Sequence, residues 1–317
     1  MHLSDLGERR ILKEIIFKYL ESPEFMDEDA AILSMGDEFL VVNVDTFVKS
    51  TDAPKGMRYG DMGWKSVIMA ASDVIVKGAE PKAVLVSLTV PTDLEASILE
   101  SVISGIRDAC DLIGSWYVGG DLGSGKELVI SAVCLGLTER VIRRRDAKVG
   151  DSVWVTDLFG VSGLVLHYLL HGGEPLEGMM EKFLQEFFRP KIDAKYASAL
   201  RHVATSSMDS SDGLAVTLND ISLASNVAIE LYSIPISPHA VEYAEKNGLD
   251  PLELALYAGE EFIIVFTTDK SDDEVYRVFR NFGLKRPIKI GKVVRGHGVY
   301  FEGRRIPRKG WEHFART

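Results

Sequence analysis

Cysteine and long apolar runs are scarce in this sequence. Its 317 residues include only two cysteines, Cys110 and Cys134, and neither has a cysteine or histidine at metal-ligand spacing. The pattern therefore excludes a structural zinc site and a disulfide framework, and predicts two buried thiols. No segment approaches the roughly 18 unbroken apolar residues of a membrane span, and MHLSDLGERR lacks a leader pattern. We therefore expect a cytoplasmic protein without a membrane partner.

Net positive charge is also absent. The chain has 36 basic and 47 acidic residues, which gives a net charge of −11. This balance disfavours a nucleic-acid backbone or an anionic membrane surface as the main partner. An anionic small substrate would need local help from arginine, lysine or a metal ion.

The stretch VGGDLGSGKEL contains Gly120, Gly125 and Lys126 at the spacing of a phosphate-binding P-loop. A P-loop places Ser or Thr after the lysine, where this chain has Glu127. Asp121 would also bring a carboxylate to the place where the backbone must hold an anion. We therefore predict that any phosphate handling by this loop occurs through a metal ion at Asp121.

Alternating strand and helix patterns divide the chain into two halves. A chain of this length exceeds one ordinary hydrophobic core, and the basic run at 138–151 interrupts the apolar pattern. We predict an α/β (α+β) fold with domains at 1–137 and 138–317. In the first half the patterns predict an amphipathic first helix, strands at 38–48, 83–90, 115–118 and 128–137, and helices at 61–77 and 94–114. In the second half they predict helices near 161–171, 176–188, 193–203, 240–247 and 272–282, a further helix from Leu214, and a short strand into SSMDSSDG. They also predict strands near 227–232, 261–267, 287–294 and 298–301.

Six aspartates lie where an apolar or small-residue element ends or is interrupted: Asp29, Asp45, Asp73, Asp121, Asp209 and Asp212. Alternative interpretations are a solvated turn at Asp29, an Asx-turn at Asp45 and a helix N-cap at Asp209 or Asp212. Asp73 has apolar helical neighbours, so a buried carboxylate there needs a hydrogen bond, an ion pair or a metal. Many hard oxygen ligands without His or Cys spacing favour Mg²⁺, which usually accompanies phosphates. The pattern predicts several Mg²⁺ ions that bridge carboxylates to a polyphosphate.

The order of the motifs EDAAIL, VDTFV, SDVIVKGAEP, GGDLGSG, SMDSSDGLAVTL, AGEEFIIVF and KGWEHF resembles the thiamine-monophosphate kinase family. That family belongs to the aminoimidazole ribonucleotide synthetase-like superfamily, and the resemblance covers nearly the whole chain. It implies a homodimer formed by the N-terminal sheet domain, which also binds ATP and Mg²⁺, and a C-terminal α/β domain. It implies direct in-line transfer of the γ-phosphoryl group of ATP to thiamine monophosphate, giving thiamine diphosphate.

The resemblance also implies the site residues. The metal ligands would be Asp29, Asn43, Asp45, Asp73, Asp121, Asp209 and Asp212. ATP would contact Asp121, Arg144 and Ser211, and the substrate would contact Asp52, Glu260 and Trp311. No catalytic acid or base is expected, because the acceptor phosphate is already nucleophilic and the protein's work is alignment and charge neutralisation.

The sequence departs from the family pattern at three places. Asn43 and Val44 replace residues that commonly include a hydroxyl, Leu122 replaces a threonine after GGD, and Asp52 replaces a frequent histidine. Asn43 still offers an amide oxygen, whereas Asp52 would repel a substrate phosphate. Another ATP-dependent synthetase of the superfamily and a non-catalytic nucleotide-binding protein remain alternatives. The GEE and KGWEHF segments favour the kinase, and the mutually repelling carboxylates disfavour a protein that binds no metal.

Overall fold

The structure is a computed structural model that describes residues 2–21 and 28–311, apart from the side chains of Ser4 and Arg9. The end of the KGWEHF motif, residues 312–314, lies outside the described residues. Residues 8–19 form one helical segment, in which α-helical bonding over Glu8–Ile11 changes to π-helical bonding over Leu12–Ile16 and 3-10 bonding over Phe17–Tyr19. This is the amphipathic first helix expected from the sequence, with irregular bonding.

The first half of the chain forms a five-stranded sheet in the order β1-β2-β5-β3-β4, in which only the β3–β4 pair is parallel. The elements are β1 (Ala31–Met35), β2 (Glu38–Val48), α2 (Lys49–Asp52), α3 (Tyr59–Val76), β3 (Glu80–Val90), α4 (Ala96–Leu112), β4 (Trp116–Ser124) and β5 (Val129–Thr138), after α1 (Glu8–Ile11). The alternation of strands and helices around one sheet is therefore confirmed for this half.

Two of the six aspartates lie within strands and not where an element ends or is interrupted. Asp45 lies inside β2, opposite Ala132, because the β-branched run continues its ladder with β5 to Val48. The GGD segment is part of β4 and not a loop. Glycine permits this path, since Gly120 has a φ of 153° and a Cβ there would lie 1.9 Å from the Val86 carbonyl oxygen.

The second half forms a seven-stranded sheet in the order β12-β11-β8-β10-β6-β9-β7, parallel only between β11 and β8. The elements are β6 (Ser152–Val155), α5 (Val161–His171), α6 (Met180–Phe188), α7 (Lys195–Val203), β7 (Ser206–Asp209), α8 (Leu214–Ser225), β8 (Ala228–Leu231), α9 (Pro238–Asn247), α10 (Pro251–Tyr257), β9 (Ile264–Thr268), α11 (Asp272–Asn281), β10 (Ile288–Val294), β11 (Gly298–Phe301) and β12 (Arg304–Ile306). The described helices include none with the length and apolar character of a membrane span.

Helix α3 lies between the two sheets, and 15 of its 18 residues are buried. On one side Asp73 accepts a hydrogen bond from Asn43 of β2 at 2.6 Å. On the other side Ser72 donates to Asp209 of β7 at 2.7 Å, and the Trp64 indole donates to the Pro190 carbonyl at 2.7 Å. A helix that is buried on both sides explains the nearly continuous apolar sequence of this segment. It also places one helix in contact with residues from both halves.

Candidate active site

A cavity of about 530 Å³ opens beside α3, between the two halves of the chain. Eight of the twelve residues predicted for the site line it. The DSSDG and GEE segments, which are about 50 positions apart in sequence, meet on one wall. The lining residues from the prediction are Asp45, Asp52, Asp73, Asp209, Ser211, Asp212, Glu260 and Trp311.

Asp209 is buried and Asp73 is half-buried in the carboxylate wall of the cavity. Burial, together with the charges of Asp209, Asp29 and Asp45, raises the pKa of Asp73 well above its ordinary value. Burial and the neighbouring carboxylates, Asp29 foremost, raise the pKa of Asp209 to about 7, against the hydrogen bond from Ser72. These carboxylates therefore favour a proton or a cation between them.

The alternative roles proposed for the aspartates do not fit the structure. Gly213 occupies the N-cap position of α8, and no side chain caps that helix, so neither Asp209 nor Asp212 is an N-cap. Asp45 lies within a strand, which removes the Asx-turn interpretation. Asp29 is buried and ion-paired, which removes the solvated turn.

Asp29 is held by two cations. It pairs with Lys77 at 2.5 Å and contacts Arg144, and Glu28 beside it accepts from Lys77 and from the Arg144 backbone N–H. Although burial raises it, the charges of Arg144 and Lys77 bring the pKa of Asp29 down to about 2. Arg144 is thus a partly buried ion-pair residue, with 12% of its side chain exposed, and not a solvated linker residue. Its partner is a predicted metal ligand.

Two hydrogen-bonded loops form the wall opposite α3. The Glu260 backbone N–H donates to the Ser211 carbonyl at 2.6 Å, and that of Phe262 donates to the Ser210 carbonyl at 3.2 Å. Glu260 and Phe262 have φ values of 68° and 50°, so this stretch is not a strand, and β9 begins at Ile264 instead of the predicted 261. Such left-handed backbone in non-glycine residues commonly marks a functional loop.

Glu261 connects the same loop to the start of α5. Its carboxylate accepts from the backbone N–H groups of Gly160 at 2.7 Å and Ser162 at 3.2 Å, at the start of α5. Burial raises the pKa of Glu261 to about 7, against these hydrogen bonds. Glu261 therefore points into the protein, whereas the adjacent Glu260 lines the cavity.

Asp121 is one of the predicted site residues that do not line this cavity. Its row in the sheet contains Ser87, Ser131 and Thr46, so it lies on the sheet face opposite to that of Asp45. Three strand spacings of about 4.8 Å also separate β4 from β2. Asn43 lies near Asp73 as a hydrogen-bond donor, through its amide nitrogen.

Lys65 also lines the cavity, although it is not among the site residues predicted from the sequence. It is buried on α3, its ammonium contacts Glu260 Oε2, and it lies 4.6 Å from the centre of the Phe187 ring. Lys65, Met69 and Asp73 recur at every fourth residue and all line the cavity. This spacing was visible in DMGWKSVIMAASD, but the apolar residues on every other face of the helix obscured it.

The donor set fits Mg²⁺. In the described part of the chain, no three His, Cys, Asp or Glu side chains already surround a single metal position. Mg²⁺ in phosphate sites, however, is usually held by one or two carboxylates together with phosphate oxygens and water. The half-buried Asp73 and the buried Asp209 repel each other, and they supply hard oxygen ligands and a local excess of negative charge.

Comparison with known proteins places both halves of the chain in described families. Residues 27–138 match the family model for the N-terminal domain of AIR synthase related protein, and residues 148–304 match the model for its C-terminal domain. The thiamine-monophosphate kinase of Aquifex aeolicus is 34% identical over 99% of this chain and 100% of its own length. That of Nitrosopumilus maritimus is 31% identical over 98% and 100%.

The solved structures give the same result. AaThiL complexed with AMPPCP and TMP has a TM-score of 0.89 and 33% identity, covering 99% of both chains. E. coli HypE, a hydrogenase maturation protein, has a TM-score of 0.68 at 19% identity over 97% of this chain and 99% of its own, and shares the fold alone. The chain therefore belongs to the thiamine-monophosphate kinase family, built from the two AIR synthase related domains.

Proposed function

We propose that this protein transfers the γ-phosphoryl group of ATP to thiamine monophosphate, giving thiamine diphosphate and ADP. The observation that carries this proposal is that one cavity is lined both by four aspartates and by Glu260. The aspartates are Asp45, Asp73, Asp209 and Asp212. The full-length relatives named thiamine-monophosphate kinase support it, as does the similar structure with AMPPCP and TMP bound. The acceptor in this reaction is a phosphate monoester.

The two ends of the cavity suit the two kinds of ligand group. The carboxylates near Asp73 are the proposed binding region for Mg²⁺ and the phosphates. The region of Glu260, Trp311, Tyr257 and Phe187 combines a carboxylate with aromatic side chains, which suits the cationic thiazolium and the pyrimidine of thiamine. Asp121, Arg144 and Ser211 remain the proposed ATP contacts, and Asp29, Asn43, Asp45, Asp73, Asp121, Asp209 and Asp212 remain the proposed metal ligands.

The proposed mechanism depends on alignment. Bound Mg²⁺ supplies neutralisation of the phosphate charges. Ser72 fixes Asp209, and Asn43 fixes Asp73, through hydrogen bonds of 2.7 and 2.6 Å, so these carboxylates keep their positions when the ligand binds. The acceptor oxygen attacks in line without loss of a proton to the protein, because the phosphate dianion is already ionised near neutral pH.

The position of Asp52 limits its expected role. Its carboxylate accepts from the Val48 backbone N–H at 2.7 Å, and so it stabilises the first turn of α2. It lines the cavity and favours the charged form of Lys65. We therefore propose that Asp52 lies on the ring side of thiamine monophosphate, where a negative charge suits the thiazolium, and not beside its phosphate.

We also propose a homodimer formed through the outer face of the five-stranded sheet. That face, on the side away from α3, carries six exposed apolar side chains: Leu33, Met35, Val44, Leu85, Trp116 and Val118. A contiguous apolar surface of this kind is typical of a protein interface. We keep the cytoplasm as the proposed location, because the reaction consumes ATP.

Leu85→Glu tests the dimer. Leu85 lies near the centre of the outer face, so a two-fold interface would bury two new carboxylates close together. We expect light scattering to give twice the chain mass for the original protein and one chain mass for this variant. Leu223→Glu, at an exposed position on α8, is the matched control and should leave the mass unchanged. A Leu85→Glu protein that keeps the doubled mass would contradict the interface.

A direct assay tests the reaction. Purified protein with Mg²⁺, ATP and thiamine monophosphate should yield thiamine diphosphate and ADP in equal amounts. EDTA should abolish the product, and free thiamine, which has no acceptor phosphate, should give none. ATP binding without any thiamine diphosphate would contradict the kinase and favour another ATP-dependent synthetase of the superfamily.

A further inference from the structure

Lys65 is a buried cation within a cavity whose other charged lining residues, as far as the structure describes them, are all acidic. Its side chain is 2% exposed, and its ammonium contacts Glu260 Oε2, while the Glu260 side chain remains 32% exposed. In this pair Lys65 is therefore buried, whereas Glu260 still faces the cavity. Placing a lysine here is costly, because burial lowers the pKa of Lys65 to about 7, opposed by Asp52.

The position of Lys65 on α3 indicates which end of the substrate it faces. Lys65 and Asp73 lie eight residues apart on one face of the helix, about 12 Å at about 1.5 Å per residue. The proposed phosphate region surrounds Asp73 and Asp209. Lys65 therefore lies at the opposite end of the cavity, where Phe187 and Glu260 are its neighbours. In thiamine monophosphate the group farthest from the phosphate is the aminopyrimidine ring.

Resting on the proposed function, we propose that Lys65 is a positioning residue that fixes the Glu260 carboxylate as the acceptor for the exocyclic amino group of the pyrimidine. The Lys65 ammonium contacts Oε2 of Glu260, and the part of the Glu260 carboxylate that remains exposed faces the cavity. The left-handed backbone of Glu260 and its 2.6 Å hydrogen bond to Ser211 fix the same carboxylate from the main-chain side. The pair selects a ring whose exocyclic group donates a hydrogen bond over one whose exocyclic group only accepts.

The alternative role for Lys65 is direct contact with the substrate phosphate. The distance along α3 and the contact with Glu260 argue against it, and the two roles predict different results. A ring-end role changes the recognition of the pyrimidine, including that of free thiamine. A phosphate role changes turnover of every phosphorylated acceptor and leaves the binding of free thiamine unaffected.

The test compares thiamine monophosphate with oxythiamine monophosphate, in which an oxo group replaces the amino group. It uses the original protein, Lys65→Met and Glu260→Gln, with Mg²⁺ and ATP saturating. We expect the original protein to prefer the amino substrate in kcat/KM by roughly tenfold to a hundredfold. In both variants we expect this ratio to fall towards one, mainly through a higher KM for thiamine monophosphate. The inhibition constant of free thiamine should rise by a similar factor in Lys65→Met.

Lys292→Met is the matched control. It removes a lysine from an exposed Lys292–Glu230 pair at 3.0 Å on the second sheet and should leave the substrate ratio unchanged. Thermal unfolding of each variant establishes that it is folded. Retention of the substrate ratio in folded Lys65→Met, or an equal loss of kcat on both substrates with unchanged thiamine inhibition, would overturn the proposal. Absence of turnover in the original protein would instead overturn the proposed function.

Discussion

Replacing Asp209 with asparagine is expected to lower kcat by about 10³-fold while making the ligand-free protein more stable. Asp209 is buried at the end of β7 and shares the cavity wall with Asp45, Asp73 and Asp212. Asparagine keeps the shape and can still accept the hydrogen bond from Ser72. The substitution removes the negative charge that would bind the Mg²⁺ ions of the nucleotide complex.

The gain in stability should depend on pH. The pKa of Asp209 is raised to about 7 in the folded chain, whereas an unfolded aspartate titrates near 3.8. The folded state thus binds this proton more tightly, so the stability linked to the proton is full below about 3.8 and is lost as pH rises through about 7. In EDTA, Asp209→Asn should therefore be more stable than the original protein by roughly 2 kcal/mol at pH 8, and by less at pH 5.

Thermal unfolding and nucleotide binding measure these effects together. Mg²⁺ with a non-hydrolysable ATP analogue should raise the Tm of the original protein and not that of Asp209→Asn. Asp61→Asn is a control of opposite sign. Although burial raises it, hydrogen bonds from Arg58 and Arg189 lower the pKa of Asp61, so its replacement should cost stability at pH 8. Near-normal activity in Asp209→Asn would contradict the metal role of this carboxylate.

The periodic elements of the fold could be predicted from the sequence, because their apolar patterns are strong. Strand β2 has its predicted bounds, and α5 and β11 also match the expected 161–171 and 298–301. Four short elements were not predicted, namely β1, α2, α10 and β12. Each has few residues and depends on partners elsewhere in the chain, and a local pattern carries no information about such partners.

The aspartates could be identified because their sequence surroundings are unusual, but their contacts could not. Asp73 within an apolar helix requires a polar partner, and the structure supplies Asn43. Nothing in EDAAIL predicts that Asp29 forms ion pairs with Lys77 and Arg144, because both partners are distant from it in the sequence. The family resemblance placed Asp29 and Arg144 in one site without giving their ion pair. The contact places a predicted metal ligand next to a predicted ATP ligand.

Asp121 marks a limit of a different kind. The GGD segment reads as a glycine-rich loop because three of its residues favour turns, yet pairing with β3 makes it a strand. Whether a glycine-rich segment becomes a strand depends on the strand that pairs with it, here β3. The glycine content alone was therefore misleading at this point. The same pairing moves Asp121 to the outer face of the sheet, where the proposed dimer would form. Its role therefore stays a prediction that depends on the assembly.

The last prediction concerns the support of α3, on which Lys65, Met69, Ser72 and Asp73 depend. Helices α3 and α4 approach closely through glycines. A Cβ at Gly105 would lie 1.9 Å from the Gly60 carbonyl oxygen, and one at Gly63 would lie 2.2 Å from that of Val102. Gly105→Leu must push the helices apart, because the obstructing atoms are backbone. We expect a loss of at least about 3 kcal/mol in the free energy of unfolding.

Ser104→Leu is the matched control, since it adds the same side chain at an exposed position one residue earlier on α4. It should change the free energy of unfolding by less than about 0.5 kcal/mol. In whatever fraction of Gly105→Leu remains folded, displacement of α3 should raise the KM for thiamine monophosphate and lower kcat together, because α3 contributes to both ends of the cavity. Denaturant unfolding and steady-state kinetics on the same preparation check both effects. A fully stable Gly105→Leu protein with unchanged activity would show that α4 tolerates the leucine and that the backbone contact does not position α3.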